Sequence, residues 1–240
     1  MKVLYQFILF IICFIIFLAI LQESNDVTLS TNFADPSKVC ILLTTSTKVK
    51  GCTEQETNTR IDMYNATIKD YLEKSSLTVY VVNSSGYTFP DFANNPRVKI
   101  FAFTQYPLPG SSTYGEALSI LRAVDYFDFS KYEYFIKITG RYFIQDLEQV
   151  ISRIPKKTEI LLQYSHKKLV IPIYQNTEIF GCQTKYLKQI FEFIFKYSPI
   201  QTFESTATYL SYIYKYYRFP KLYLIKPVQR GGDKMVMHYL

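Results

Sequence analysis

"YEYFIKITGRYFI", residues 132–144, decides how the rest of the chain is read. Its first half is a nearly unbroken apolar run, the pattern of a strand covered on both faces. Its second half packs Lys137, Thr139, Gly140, Arg141 and Tyr142 into six positions. A buried strand ending this way is a rigid mount for a polar loop. Gly140 permits a turn with positive φ or a close backbone approach, Arg141 offers a planar fork for oxyanions, and Lys137 a point charge. The set suits a diphosphate. Solvated cations at an ordinary strand end are the plain alternative.

On both sides of this stretch, strand patterns alternate with helical ones. "VCILLT" (39–44), "LTVYVV" (77–82) and "VKIFAF" (98–103) precede it. "EILLQ" (159–163), "LVIPIY" (169–174) and "LYLI" (222–225) follow, with Pro172 marking an edge strand because it has no N–H to give. Helical spacing joins Ile61, Tyr64, Ile68, Tyr71 and Leu72, then Ala117, Ile120, Leu121, Val124 and Phe127. It recurs in Leu147, Val150, Ile151 and Ile154, in Leu187, Ile190, Phe191, Ile194 and Phe195, and in Leu210, Ile213, Tyr214 and Tyr217. Asp146 with Gln149 reads as a capping box. The order predicts an α/β domain with a mostly parallel sheet flanked by helices. Ligands in such sheets sit beyond the strands' carboxyl ends, so the loops after Thr44, Val82, Phe103 and Ile138 are the places for a site.

The chain has 240 residues, enough for one good core, and its 48% hydrophobic and 20% charged residues exclude a disordered chain. Val3 to Leu21 carries no charge. At helical rise it is about as long as the roughly 30 Å bilayer core, which predicts an N-terminal transmembrane helix acting as an uncleaved signal-anchor. A cleaved signal peptide and a buried helix are the alternatives. Lys2 precedes the span while Glu23 and Asp26 follow it, so the N-terminus is expected in the cytosol. The domain plan is then a cytosolic start and anchor over 1–21, a polar stem over 22–37 and a globular domain over 38–240. The expected location is a single-pass type II membrane protein facing the ER or Golgi lumen in a eukaryote.

Two sequons begin at Asn65 and Asn83. Outside the span, Cys40, Cys52 and Cys182 allow either one disulfide with one free thiol, Cys40 and Cys52 being the nearer pair, or three buried thiols. No spacing suggests zinc. The net charge of +7 is scattered rather than clustered, so no nucleic-acid partner is expected. Such a field suits anionic small substrates or membrane headgroups.

Tyr114, Gly115 and Glu116 open the helix that precedes the 132–144 stretch. Glu116 is either a first-turn acid that stabilises the helix or a carboxylate holding a sugar hydroxyl or Arg141. "YGE" (114–116) followed by "KITGRY" (137–142) resembles a group of GT-A-like glycosyltransferases that build polysaccharides and glycans in bacteria, viruses and protists. The resemblance covers residues 39–145, with a weaker likeness over 178–191. It implies a nucleotide-sugar donor and a glycan or glycoconjugate acceptor. Base and ribose would lie near Thr45, Ser46 and Asn83, and the diphosphate at Lys137, Thr139, Gly140, Arg141 and Tyr142, beside Tyr114, Gly115 and Glu116. Lys137 and Arg141 would stabilise charge on the departing diphosphate.

One departure matters. Typical GT-A enzymes hold Mn²⁺ or Mg²⁺ with a D-x-D at the end of this strand, and the chain has no D-x-D. No metal ligands are assigned, and the cations at that position point to a site independent of a divalent metal. Asp125 and Asp128 read as a helix end, and His166 and His238 as surface residues. Inverting transfer needs a carboxylate to take the acceptor's proton. Glu204, a lone acid among Phe203, Ser205 and Thr206, is preferred over Glu178 because partial desolvation suits it to that task; an ordinary helix-start acid is the alternative. A GT-A-like domain that binds or scaffolds without transfer is the competing reading. A nucleotidyl or phosphoryl transferase would want a glycine-rich phosphate loop or an acidic metal site, and the sequence shows neither.

Overall fold

The structure is a computed structural model that describes residues 2–25, 32–49, 51–105, 112–163, 176–229 and 236–239. One sheet contains β1 (Val39–Thr45), β2 (Val79–Asn83), β3 (Val98–Ala102), β4 (Tyr134–Thr139), β5 (Ile160–Leu162), β6 (Ile179–Gln183) and β7 (Tyr216–Arg218). Their order is β3-β2-β1-β4-β6-β5-β7. Pairs β1–β2, β2–β3, β1–β4 and β5–β7 are parallel, whereas β6 runs antiparallel to both β4 and β5. The sheet is therefore mostly parallel, with β6 the single strand that runs against the rest. Gly181 lets β6 enter: a Cβ there would meet Phe135 O at 2.6 Å and Leu161 Cδ1 at 2.9 Å.

Strand alternation divides the core in two. Ile41, Leu43, Ile136 and Ile138 pack with Tyr64, Ile68 and Tyr71 of α2 (Glu54–Lys74) and with Leu147, Val150 and Ile151 of α4 (Leu147–Ile151). Cys40, Leu42, Phe135, Phe180 and Leu162 face the other way. They meet α3 (Ser112–Tyr126), α5 (Leu187–Tyr197) and α6 (Phe203–Leu210) through Ala117, Ile120, Phe191, Ile194, Phe203 and Ala207. Each such large side chain contributes about 1.5–3 kcal/mol by leaving water. Helices on both faces of a mixed sheet are consistent with a GT-A-like fold. From β1, the chain steps outward to β2 and β3, and then returns to place β4 on β1's other side. That reversal puts the switch point, where sheets of this kind form a ligand crevice, at the carboxyl ends of β1 and β4.

Several expectations are corrected. Lys2–Asn25 forms helix α1, and Asn25 Nδ2 donates to Tyr212 O at 3.0 Å. Among the described residues, however, no helix is long and apolar enough to cross a membrane. The expected membrane span is therefore not supported. The transmembrane anchor, the membrane as a partner through residues 3–21, and the type II lumenal location fall with it.

The helix expected over Leu210 to Tyr217 ends at Leu210, and its last residues form β7, because Tyr216 and Arg218 ladder onto Ile160 and Leu162. Asp146 makes no side-chain cap bond, whereas a reciprocal box closes between Thr53 and Glu56: Glu56 N donates to Thr53 Oγ1 at 3.2 Å and Thr53 N to Glu56 Oε2 at 2.8 Å. "LYLI" lies in β8 (Tyr223–Gln229), which pairs with β9 (Val236–Tyr239) outside the main sheet. The 169–174 strand and His166 lie outside the described residues. Cys40, Cys52 and Cys182 are free thiols; burial pushes those of Cys40 and Cys182 far up, so neither is a ready nucleophile. Asn83 is wholly buried, which closes that sequon to modification in the folded chain.

Candidate functional site

At the crevice between β1 and β4, a buried ion pair stands where a solvent-facing clamp was expected. Lys137 alternates with Ile136 and Ile138, so its side chain runs beneath α3 and is only 1% exposed. Its Nζ donates to Glu116 Oε1 at 2.6 Å, to Thr177 O at 2.5 Å and to Thr139 Oγ1 at 3.4 Å. Thr44 Oγ1 donates to the same Glu116 oxygen at 3.0 Å. Thr177 Oγ1 donates to Glu204 Oε1 at 3.3 Å, and the Phe203 ring centroid lies 5.4 Å from the ammonium. One network thus ties the end of β1, the N-terminal half of α3, the end of β4, the entry to β6 and the first turn of α6. Glu116 keeps a quarter of its side chain in solvent, so the network reaches the crevice.

Gly140 exists for packing. Its N–H donates to Thr44 O at 2.9 Å, and a Cβ would strike Thr45 Cγ2 at 2.5 Å and Thr44 O at 3.0 Å. Its φ is not in the left-handed region, so the close approach it permits is to β1. Beyond it, Arg141 is partly exposed, with Cζ 4.9 Å from the Tyr142 ring centroid and a buried Nε that has no hydrogen-bond partner. Tyr142 itself is buried in the core under α2, where Tyr71 OH donates to its carbonyl at 3.2 Å.

The residues expected at the base and ribose knit two loops together. Thr45 Oγ1 donates to Val82 O at 2.9 Å and accepts from Asn83 Nδ2 at 3.0 Å. Asn83 Oδ1 accepts from the N–H groups of Ser85 and Tyr87 at 2.8 and 3.1 Å, and the Ser46 and Ser85 hydroxyls are 3.0 Å apart. Ser46 alone of the three is not buried. Tyr114 packs on Phe195 of α5, with centroids 4.6 Å apart, and Gly115 lies against Gln105, whose Nε2 would stand 3.0 Å from an added Cβ. Glu178 is buried, and its carbonyl accepts from Thr139 N–H at 2.8 Å.

The structure therefore brings Lys137, Glu116, Thr139 and Glu204 together and sets Tyr142, Asn83 and Thr45 into structural roles. Thr44 and Thr177 complete the network and were missed. Thr44 is the one polar residue of "VCILLT" and was detectable as such; nothing local marks Thr177. The D-x-D metal does not fit here. The end of β4 offers a hydroxyl, a glycine and an arginine, and the lysine ammonium already occupies the carboxylate, carbonyl and hydroxyl oxygens that a cation would take. Among the described residues no group of three His, Cys, Asp or Glu could hold a metal ion.

Two cavities lie elsewhere. One of about 820 Å³ follows the outer edge of β3 past Lys99, Phe101 and Tyr126, and one of about 330 Å³ sits at the opposite end of β4 near Tyr132 and Gln183. The larger has one cation and no acid among its lining residues.

No protein-family model and no curated protein matches the chain. Three solved structures are similar to it in fold. The first is a glycosyltransferase involved in the glycosylation of the major capsid of PBCV-1, at 12% identity and a TM-score of 0.46, covering 75% of this chain and 81% of that one. The second is a 4-diphosphocytidyl-2C-methyl-D-erythritol synthase from Anaerococcus prevotii DSM 20548, at 10% identity and 0.48, covering 78% and 90%. The third is described as a nucleotide-diphospho-sugar transferase from Desulfovibrio desulfuricans G20, at 11% identity and 0.46, covering 76% and 80%. Likeness of this degree carries no chemistry to this chain.

Proposed function

We propose that the chain is a glycosyltransferase that takes a sugar from a nucleotide-sugar donor and passes it to a glycan or glycoconjugate hydroxyl. The observation that supports this most is the Lys137–Glu116 pair at the crevice between β1 and β4, where an α/β sheet binds nucleotides. Its geometry changes the division of labour expected from the sequence. Lys137 is a positioning residue, because its charge is spent on Glu116 and on the backbone that leads into β6. Arg141, with an uncommitted Nε, is the group placed to meet the diphosphate. Glu204 is held toward the network by Thr177 and is the candidate base. As the C1–oxygen bond breaks, its electron pair leaves with the diphosphate beside Arg141. The acceptor oxygen bonds to C1 and its proton passes to Glu204.

A second reading has one observation in its favour. Because Lys137 faces Glu116, the leaving group has one fewer free cation than the sequence suggested, which suits a domain that binds a nucleotide sugar without transferring it. Release of nucleoside diphosphate from a panel of nucleotide sugars, with mixed glycans as acceptors, separates the two. An enzyme loses about 10²-fold or more of its turnover in Arg141→Ala and in Glu204→Gln. Binding with no release in the wild-type chain supports the second reading.

A further inference from the structure

Arg218 closes β7, at the far edge of the sheet from β3. Its Nε and Nη2 are both buried, and neither has a hydrogen-bond partner. The Tyr216 ring lies beside it, its centroid 5.3 Å from Cζ, and among the described residues no carboxylate comes within ion-pair distance. Nε and one Nη form the side of a guanidinium that grips two oxygens of a carboxylate or phosphate at once. Burying that side with nothing opposite it opposes folding, since donors taken from water and left unmatched lose their hydration for no return.

Strand register fixes where this fork stands. Lys137 is level with Phe180, Phe180 with Leu162, and Leu162 with Arg218. Phe180, Leu162 and Tyr216 share the core beneath α3, α5 and α6. Lys137 and Arg218 alternate onto that same face, two residues from Phe135 and Tyr216. A single row thus crosses four strands with a basic residue at each end, their backbone positions about 14 Å apart at three strand spacings. Glu116 neutralises one end, and nothing in the described chain neutralises the other. The diphosphate is assigned above to Arg141 after β4, and β7 lies three strands away from β4.

We infer that Arg218 binds an oxyanion of the substrate other than the donor's diphosphate, a carboxylate or phosphate carried by the transferred sugar or by the acceptor. This rests on the nucleotide-sugar reading above. Calorimetry on the full chain tests it with two probe pairs, UDP-glucuronate against UDP-glucose for the donor and tetragalacturonate against maltotetraose for the acceptor. The wild type should bind at least one acidic probe about tenfold more tightly than its neutral counterpart. Arg218→Ala should bring that ratio close to one while leaving UDP affinity unchanged. Arg218→Lys keeps the charge but loses the fork; it should forfeit most of the preference, and it carries the test if the alanine variant does not fold.

Equal ratios in wild type and variants overturn the inference, as does the absence of any acid preference in the wild type. A fall in UDP affinity that matches the fall for the acidic probe also overturns it, by assigning Arg218 to the diphosphate. Nucleotide sugars that bind with no acid preference leave the glycosyltransferase reading standing and remove this one. Arg218-dependent binding of tetragalacturonate with no nucleotide sugar bound does the reverse.

Discussion

The middle of the sheet and its β7 edge each hold a cation on the same face, and the chain treats them differently. Lys137 is sealed in at 1% exposure and surrounded by oxygens of its own chain, from Glu116, Thr177 and Thr139. Arg218 has two buried nitrogens with no partner. A buried charge survives only with compensation. In the reading proposed above, the residue so compensated is architectural and the uncompensated one takes a ligand. Arg141, which also buries an Nε without a hydrogen-bond partner, is grouped with Arg218 in that reading, although it lies close to Lys137 in the sequence motif.

The sharpest way to break this comparison is to remove the internal compensation. Lys137→Met strands Glu116 opposite an apolar side chain and should cost about 3 kcal/mol in urea unfolding, read as a shifted midpoint at unchanged slope. The double variant Lys137→Met with Glu116→Leu should be more stable than Lys137→Met alone. Simple additivity would mean that the two are not coupled and that Lys137 is not architectural.

A smaller effect is expected at Gly140. An alanine there meets Thr45 Cγ2 and Thr44 O, and spreading β1 from the β4 loop should cost about 1–3 kcal/mol. Nucleotide affinity should fall with it, because the strand ends that frame the crevice move apart. A Gly140→Ala chain of wild-type stability would show that the two loops are not packed as described.

The smallest effect concerns the start of α2. Glu56 is fully exposed, and the backbone and side-chain hydrogen bonds it accepts from Thr53 hold its carboxyl below the ordinary glutamate value. A depressed folded pKa means that this contribution is present above the unfolded value and lost as the pH falls through the folded one. Titration followed by the Glu56 carboxyl ¹³C shift should give a midpoint below 4.5, the ordinary value, and Thr53→Ala should raise it. An unchanged midpoint in Thr53→Ala would remove the box as the cause.

Much of the fold was legible because apolar periodicity is written locally. β1, β2, β3 and β4 lie where their apolar runs predict, and α2, α3 and α5 bury the faces that their spacing marks. What escaped depends on partners distant in sequence. Tyr214 to Tyr217 has helical spacing, yet the strand position won because β5 offers a ladder. The capping box was sought at Asp146 and forms at Thr53, where a Thr-x-x-Glu pattern had gone unused.

At the site, residue types were readable and side-chain directions were not. "KITGRY" announced two cations, but only the sheet register and α3 together determine that Lys137 turns inward to Glu116. Thr177 enters from the irregular segment before β6, forty positions away. Asn83 resembled a ligand contact because a polar residue at a strand end looks the same whether it faces a nucleotide or, as here, satisfies Thr45, Ser85 and Tyr87. The apolar run at the N-terminus was legible as a helix, but the membrane span read from it is not supported.

The most direct test of the central claim is calorimetric binding of nucleoside diphosphates and their sugars to the full chain and to Arg141→Ala. One nucleotide sugar should bind the wild type, and Arg141→Ala should weaken both it and the bare diphosphate about tenfold or more with unfolding stability unchanged. Equal affinity in the two proteins, or no nucleotide bound by the wild type, would contradict a diphosphate site at the end of β4.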